Sequence, residues 1–246
     1  MTRLTLLAIA AMFVITWGTN SLFSTGPYAQ SQPADAFQKV NFFIDFSDYD
    51  EDSVETWLSA KGFKFERDAQ NRKKLDLDVS EDALVLEAKT RVRGFLFNEG
   101  VDLEEYSAVR LEWGIIQYPE GASYERGVNN EALMVFIFFG YDKISSGHFA
   151  IPNSPYFIGL FLGQEEQVDK AYQGRYFRKG GRFVCLGNPQ PGETVVSTFD
   201  LISAFQSYFE KDEVPIISGI ALAVDTSSAG NGGRAAAFIK SIEFLE

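Results

Sequence analysis

From Val40 onward the sequence breaks into short apolar runs separated by turn residues, and this rhythm constrains the fold more than any other feature. The runs are "NFFIDF", "GFKFER", "KLDLDV", "ALVLEA", "RGFLFN", "SAVRLEWGIIQ", "ALMVFIFFG", "PYFIGLFLG", "RFVCLG", "TVVSTF", "IISGIALAVD" and "AAAFIKSIEFL". Each has strand length, so about a dozen strands are expected. In "AVRLEWGII", Val109, Leu111, Trp113 and Ile115 share one parity while Arg110 and Glu112 share the other. Successive side chains of a strand point to opposite faces, so this strand buries one face and wets the other. "LMVFIFF", residues 133–139, is apolar on both parities and belongs at the centre of a sheet. One stretch changes period. In "FDLISAFQSYFEK", Leu201, Ile202, Phe205, Tyr208 and Phe209 recur at helical spacing after the N-cap candidate Asp200, with Pro215 beyond. One short helix is expected near residues 200–211. Strands without intervening helices favour antiparallel pairing, and two packed sheets suit a 246-residue chain. The expected fold is all-β: a two-sheet antiparallel β-sandwich of jelly-roll type, forming a single domain over residues 39–246.

The N-terminus speaks to compartment. Arg3 precedes "LTLLAIAAMFVITW", an apolar stretch from Leu4 to Trp17. As a helix it rises about 21 Å, short of the roughly 30 Å hydrocarbon thickness, so residues 1–23 read as an export signal or an N-terminal anchor. Ala29 and the pair Thr19 and Ser21 are alternative cleavage landmarks, and retention of the segment stays open. Residues 24–38, rich in Ser, Pro, Gln and Ala, read as a flexible tether. The expected location is periplasmic or extracellular. The sole cysteine, Cys185, allows no internal disulfide and lies in the apolar run "RFVCLG", as expected of a buried inert thiol. With 22 basic against 34 acidic residues, a net charge of −12, the chain repels nucleic acid and anionic surfaces. Membrane contact is expected only through an uncleaved N-terminal segment.

Few residues look like chemistry. "SSAGNGG" follows Asp225 and joins two apolar runs read as adjacent strands, so it is expected to be a hairpin-like turn. Calcium needs several clustered oxygen ligands, and Asp225 is the loop's only carboxylate. No metal and no cofactor is expected. The single His148 has no nucleophile motif beside it and reads as a loop histidine. Glu112 and Glu131 are candidates for the carboxylate pair of a glycoside hydrolase, set against the plainer reading of solvated strand-face acids. The sharpest deviation is "DKAYQGRYFRKGGR", residues 169–182, which gathers five basic residues and three aromatics in an acidic protein. Arginine forks grip anions and tyrosine faces stack on sugars, so Tyr172, Arg175, Tyr176 and Arg178 are the candidate ligand-binding residues. A solvated hairpin explains the same letters. Tyr118, Tyr124, Tyr141 and Tyr156 fall near strand ends and extend the candidate surface, whereas the 23 Phe residues and Trp113 read as core.

From about Tyr106 the order of the motifs "YSAVRLEWGIIQYPEGA", "NNEALMVFIFFG", "RFVCLGNPQPGETVVSTFDLISAFQSYFEKDEVPIISGIALAVDTSSAG" and "AAFIKSIEF" resembles a family of bacterial exported proteins known only as a domain of unknown function. In that family Asn129 and Asn130 look like a pair of aspartates and Ser227 like a further one, so this chain lacks acids there. The resemblance implies an exported, sandwich-like domain without an assigned activity. Three functions then compete. The first is a non-catalytic binding module of the cell envelope, recognising a glycan or a small acidic ligand. The second is a carbohydrate-active hydrolase with a carboxylate pair. The third is a structural partner in an envelope complex, which would expose an apolar patch.

Overall fold

A computed structural model describes residues 39–50 and 53–246. The export or anchor segment, residues 1–23, and the tether, residues 24–38, lie outside the described residues. All twelve apolar runs form strands. In chain order the first are β1 (Val40–Asp45), β2 (Lys64–Arg67), β3 (Leu75–Ser80), β4 (Ala83–Ala88), β5 (Arg93–Asn98) and β6 (Ala108–Gln117). There follow β7 (Glu131–Ile144), β8 (Ser154–Phe161), the two-residue β9 (Ala171–Tyr172), β10 (Gly181–Cys185), β11 (Thr194–Asp200), β12 (Ile217–Asp225) and β13 (Ala235–Leu245).

These strands make two sheets. One has the order β11-β6-β13-β4-β3, with β1 also paired to β13; the other has the order β2-β5-β12-β7-β8-β10-β9. Pairing is antiparallel except between β8 and β10, where Gly181–Cys185 runs parallel to Phe157–Phe161. The chain changes sheets at both steps from β1 to β3, at each step from β4 to β7, and at each step from β10 to β13. This is a β-sandwich with jelly-roll alternation. β7 lies centrally, between β12 and β8, as its apolar pattern implied.

The core lies between the sheets. Val109, Leu111, Trp113 and Ile115 face it, and Trp113 is fully buried with its indole N–H donating to Ser197 Oγ at 3.1 Å. Arg110 and Glu112 face outward, pairing with Glu243 and Lys240 across the strand ladder. The outer face of the six-stranded sheet is therefore laced with charge.

Two expectations need correction. The segment 226–234 is not a hairpin, because β12 and β13 belong to different sheets. Both edges of β12 are taken by β5 and β7, while β13 is held by β6, β4 and β1, so the segment spans the edge of the sandwich. Thr226 Oγ1 anchors its start by accepting from Val92 N at 3.1 Å. Gly233 (φ +82) is pressed against Arg91, where a Cβ would sit 2.5 Å from the Arg91 Cα. The second correction is an additional helix. Besides α2 (Leu201–Phe209), capped by Asp200 as expected, residues Val54–Ala60 form α1. Ser53 caps α1 by accepting from Thr56 N, and Trp57 and Leu58 are its buried side chains. Seven residues are too few for the period to stand out. Among the described residues, no helix is long and apolar enough to cross a membrane.

Candidate functional site

The outer face of the seven-stranded sheet differs from its charged counterpart. The β ladder places Phe97 opposite Ala221, Ala221 opposite Phe136 and Phe136 opposite Gly159. Adjacent rows add Phe95, Ala223, Met134 and Phe161 on one side, and Gly219, Phe138 and Phe157 on the other. β12 contributes only Gly219, Ala221 and Ala223 to this face, so rings from β5 and β7 lean over it from both sides. Phe95 stacks on Phe97 at 5.5 Å between centroids and Phe136 on Phe138 at 6.0 Å; Phe97 and Phe138 meet across β12 at 6.0 Å. The four rings are half-buried although no helix among the described residues covers them. This explains why β7 is apolar on both parities: one parity fills the core and the other tiles an open face.

One end of the tile is roofed. In the loop 118–130, Tyr124 lies flat on Phe161 at 4.5 Å and touches Tyr172 and Phe183. Its backbone N–H donates to Glu166 Oε1 at 3.0 Å, and its hydroxyl donates to Glu131 Oε1. Glu125 ties the loop to Lys170 and accepts from the Tyr172 hydroxyl, while Arg126 pairs with Glu165. The roof is therefore latched by polar groups at its margin over an apolar contact in the middle.

Glu131 departs from the solvated strand-face acid expected of it. It is only 8% exposed, because the 118–130 loop closes over its end of β7. Burial, reinforced by the nearby Asp225 and Glu166 charges, pushes its carboxyl well above the usual range, and Arg93 opposes the shift. Asp225 stands opposite Glu131 on the ladder, but its oxygens are spoken for. Arg93 Nε donates to Oδ2 at 2.7 Å, while Asn130 Nδ2 and both the amide and the hydroxyl of Ser227 donate to Oδ1. The Asp225 loop thus closes around an arginine. The space lined by Glu131, Glu166 and Tyr118 amounts to about 10 Å³, room for no more than one water. No sugar fits between these acids.

The four residues proposed from the basic segment separate. Tyr172 is 7% exposed, with its ring against the roof and its hydroxyl shared between Glu125 and the Gln167 N–H. It supports the tile and offers no free stacking face. Arg175 and Arg178 are exposed, and the Arg175 guanidinium lies 5.4 Å from the half-buried Tyr176 ring, which stands edge-on to His148. Arg182 turns inward, donating to the carbonyls of Arg178, Gly181 and Tyr208. Of the other tyrosines, Tyr118 donates to Pro189 O, Tyr156 packs on Phe205 and Phe209, and Tyr141 alone is largely exposed, donating to Asp102. Cys185 is a buried free thiol, and burial pushes it up.

A separate open cleft of about 490 Å³ runs along β11, lined by Asp169, Asn188, Glu193 and Ser197 among others. It contains no aromatic ring and hence no stacking surface. Among the described residues, no group of three or more His, Cys, Asp or Glu is arranged to hold a metal ion. The Phe tile was missed in the sequence because Phe at strand spacing reads as core; the available signal was β7's second apolar parity opposite the Gly219-Ala221-Ala223 series.

No family model and no curated protein matches the chain. Solved structures resemble it distantly. A low-affinity xylan-binding module from Roseburia intestinalis has 10% identity and a TM-score of 0.34, covering 76% of this chain and 92% of that one. The metal-free carbohydrate recognition domain of Emp46p has 12% identity and a TM-score of 0.41, with 84% and 97% covered. Winged bean acidic lectin bound to methyl-α-D-galactose has 13% identity and a TM-score of 0.40, with 83% and 99% covered.

Proposed function

We propose that the protein is an exported, non-catalytic binding module of the cell envelope, and that a glycan lies on the open Phe tile. The observation that carries this reading is the set Phe95, Phe97, Phe136 and Phe138, half-buried against one another and covered by no helix among the described residues. A sugar presents C–H groups on the faces of its ring, which suit flat aromatic floors, and hydroxyls around its edge. Charged groups for those hydroxyls border the tile: Arg67 stands 5.7 Å from the Phe95 ring, Lys64 and Glu99 pair at one margin, and Arg93 with Asp225 forms another. The floor is preformed, so binding orders few side chains.

A glycan-array screen followed by titration of Phe97→Ala and Phe136→Ala tests the reading. Each loss should weaken binding by about 1–2 kcal/mol, roughly five- to thirtyfold, with the fold intact by circular dichroism. A bound glycan whose affinity ignores both substitutions would place the site elsewhere. The absence of hydrogen-bonding side chains among the four central rings also fits the structural-partner reading, in which the tile docks a protein. A silent array together with a co-purifying envelope protein released by Phe136→Ala would favour that alternative.

A further inference from the structure

Beside the tile, the connection between β7 and β8 holds an apolar side chain wholly in water. Phe149 is 100% exposed. The loop presenting it is internally braced. Ser146, itself buried, donates from Oγ to the carbonyls of His148 at 2.9 Å and Ile151 at 2.8 Å, while Ile151 N–H donates to His148 O. The Ala150 N–H donates to His148 Nδ1, and the His148 ring stacks on Phe149 at 5.0 Å. These bonds brace the turn that carries Phe149.

The basic turn 175–180 is fastened to this tip. Phe177 N–H donates to Ser146 O at 2.9 Å, and Tyr176 meets the His148 ring at 5.5 Å. Arg175, Arg178 and Lys179 are exposed here, and none forms an ion pair with a carboxylate among the described residues. In a chain with 34 acidic and 22 basic residues, three neighbouring unpaired cations beside one projecting Phe form a local exception to the acidic surface.

We propose that this tip, Phe149 with Arg175, Arg178 and Lys179, docks on an anionic lipid surface. The ring enters the boundary between headgroups and acyl chains, and the three cations lie over lipid phosphates. Tyr176 and His148 occupy the headgroup level, where amphipathic rings are favoured. The overall negative charge does not forbid this, because at about 0.1 M salt charges more than ~10 Å from the headgroups are largely screened. Asp142, the nearest acid along β7, is followed directly by Lys143. The tip adjoins the tile through the Phe157–Phe177 contact at 5.5 Å, but Phe149, Arg175, Arg178 and Lys179 are not among the tile's rings, so the variants below test it apart from the glycan reading.

The test uses residues 39–246, the described β-sandwich, without the apolar stretch Leu4 to Trp17. It is sedimented with vesicles of phosphatidylcholine alone or mixed with phosphatidylglycerol, at about 0.1 M salt. Binding to the anionic vesicles only is expected. The R175Q/R178Q/K179Q triple variant should bind about a hundredfold more weakly, near fivefold per cation. Phe149→Ser should bind about tenfold more weakly. In Phe149→Trp, vesicle addition should move emission to the blue, with Trp57 and Trp113 already buried. Equal pelleting with both vesicle types, variants that pellet like the parent, or an emission maximum of the Phe149→Trp variant that stays unchanged on pelleting would overturn the proposal. So would abolition of vesicle binding by millimolar inorganic phosphate at constant ionic strength, which would reveal a pocket for a small anion.

Discussion

Glu131→Gln isolates the energetic consequence of closing the Tyr124 roof over an acid. In the folded protein burial favours the neutral carboxyl, which the Tyr124 hydroxyl and the Asp225 and Glu166 charges surround. In the unfolded chain the same group titrates near its ordinary value of 4.5. The folded state therefore holds the proton more tightly. Its stabilising contribution is fully present below about pH 4.5 and is lost as pH rises toward the folded-state value. Within that window one group removes about 1.4 kcal/mol per pH unit, or about 2–4 °C per kcal/mol in Tm for a domain of this size. Glutamine mimics the neutral acid, still accepts from Tyr124 and cannot ionise. Urea unfolding at pH 4, 5, 6, 7 and 8 should show the variant matching the parent at the acidic end, with its advantage growing at that slope through the window. A difference independent of pH, or one that widens toward acid, would show that Arg93 holds Glu131 ionised and would refute the reasoning. Asp225→Asn removes the repelling charge and frees Arg93, so it should narrow the window.

Other substitutions probe the frame. Gly233→Ala forces a Cβ to 2.5 Å from Arg91 Cα at φ +82, and should cost at least about 2 kcal/mol by urea denaturation; a loss under about 0.5 kcal/mol would mean that the segment simply shifts. Asp200→Ala removes the cap that accepts from Ser203 N at 2.9 Å and should cost about 1 kcal/mol, with Asn restoring most of it. Adding a chelator should leave Tm unchanged, since Arg93 already neutralises Asp225; a drop of several degrees reversed by calcium would contradict this.

The strands and the parity of β6 were legible because they depend on neighbours two residues away. The N-cap of α2 was legible for the same reason, being an interaction between Asp200 and Ser203. Sheet membership was not. "IISGIALAVD" and "AAAFIKSIEFL" look like the arms of a hairpin, yet their partners are β5 and β7 for one and β6, β4 and β1 for the other. No local signal distinguishes a Gly-rich turn within a sheet from a Gly-rich passage between sheets. Tyr172 shows the same limit. Its neighbours along the chain are basic and wet, but pairing with Phe183 turns its ring under Tyr124.

The Phe tile follows from two sequence facts that mean little apart. A strand apolar on both parities ordinarily has both faces covered. A strand that alternates Gly219, Ala221 and Ala223 with Ile220, Leu222 and Val224 has one face large and the other small. Side by side, as β7 and β12 are, they leave a floor too low to fill itself, and Phe95, Phe97, Phe136 and Phe138 lean into that depression without burying themselves. Covering it with a helix would need an apolar helical stripe. The two described helices spend theirs elsewhere: Trp57 of α1 packs on Phe46, and Phe205 of α2 packs on Phe139. Among the described residues Tyr124 roofs one end. The described elements leave this face aromatic and rimmed with charge, and that combination is what the glycan proposal rests on.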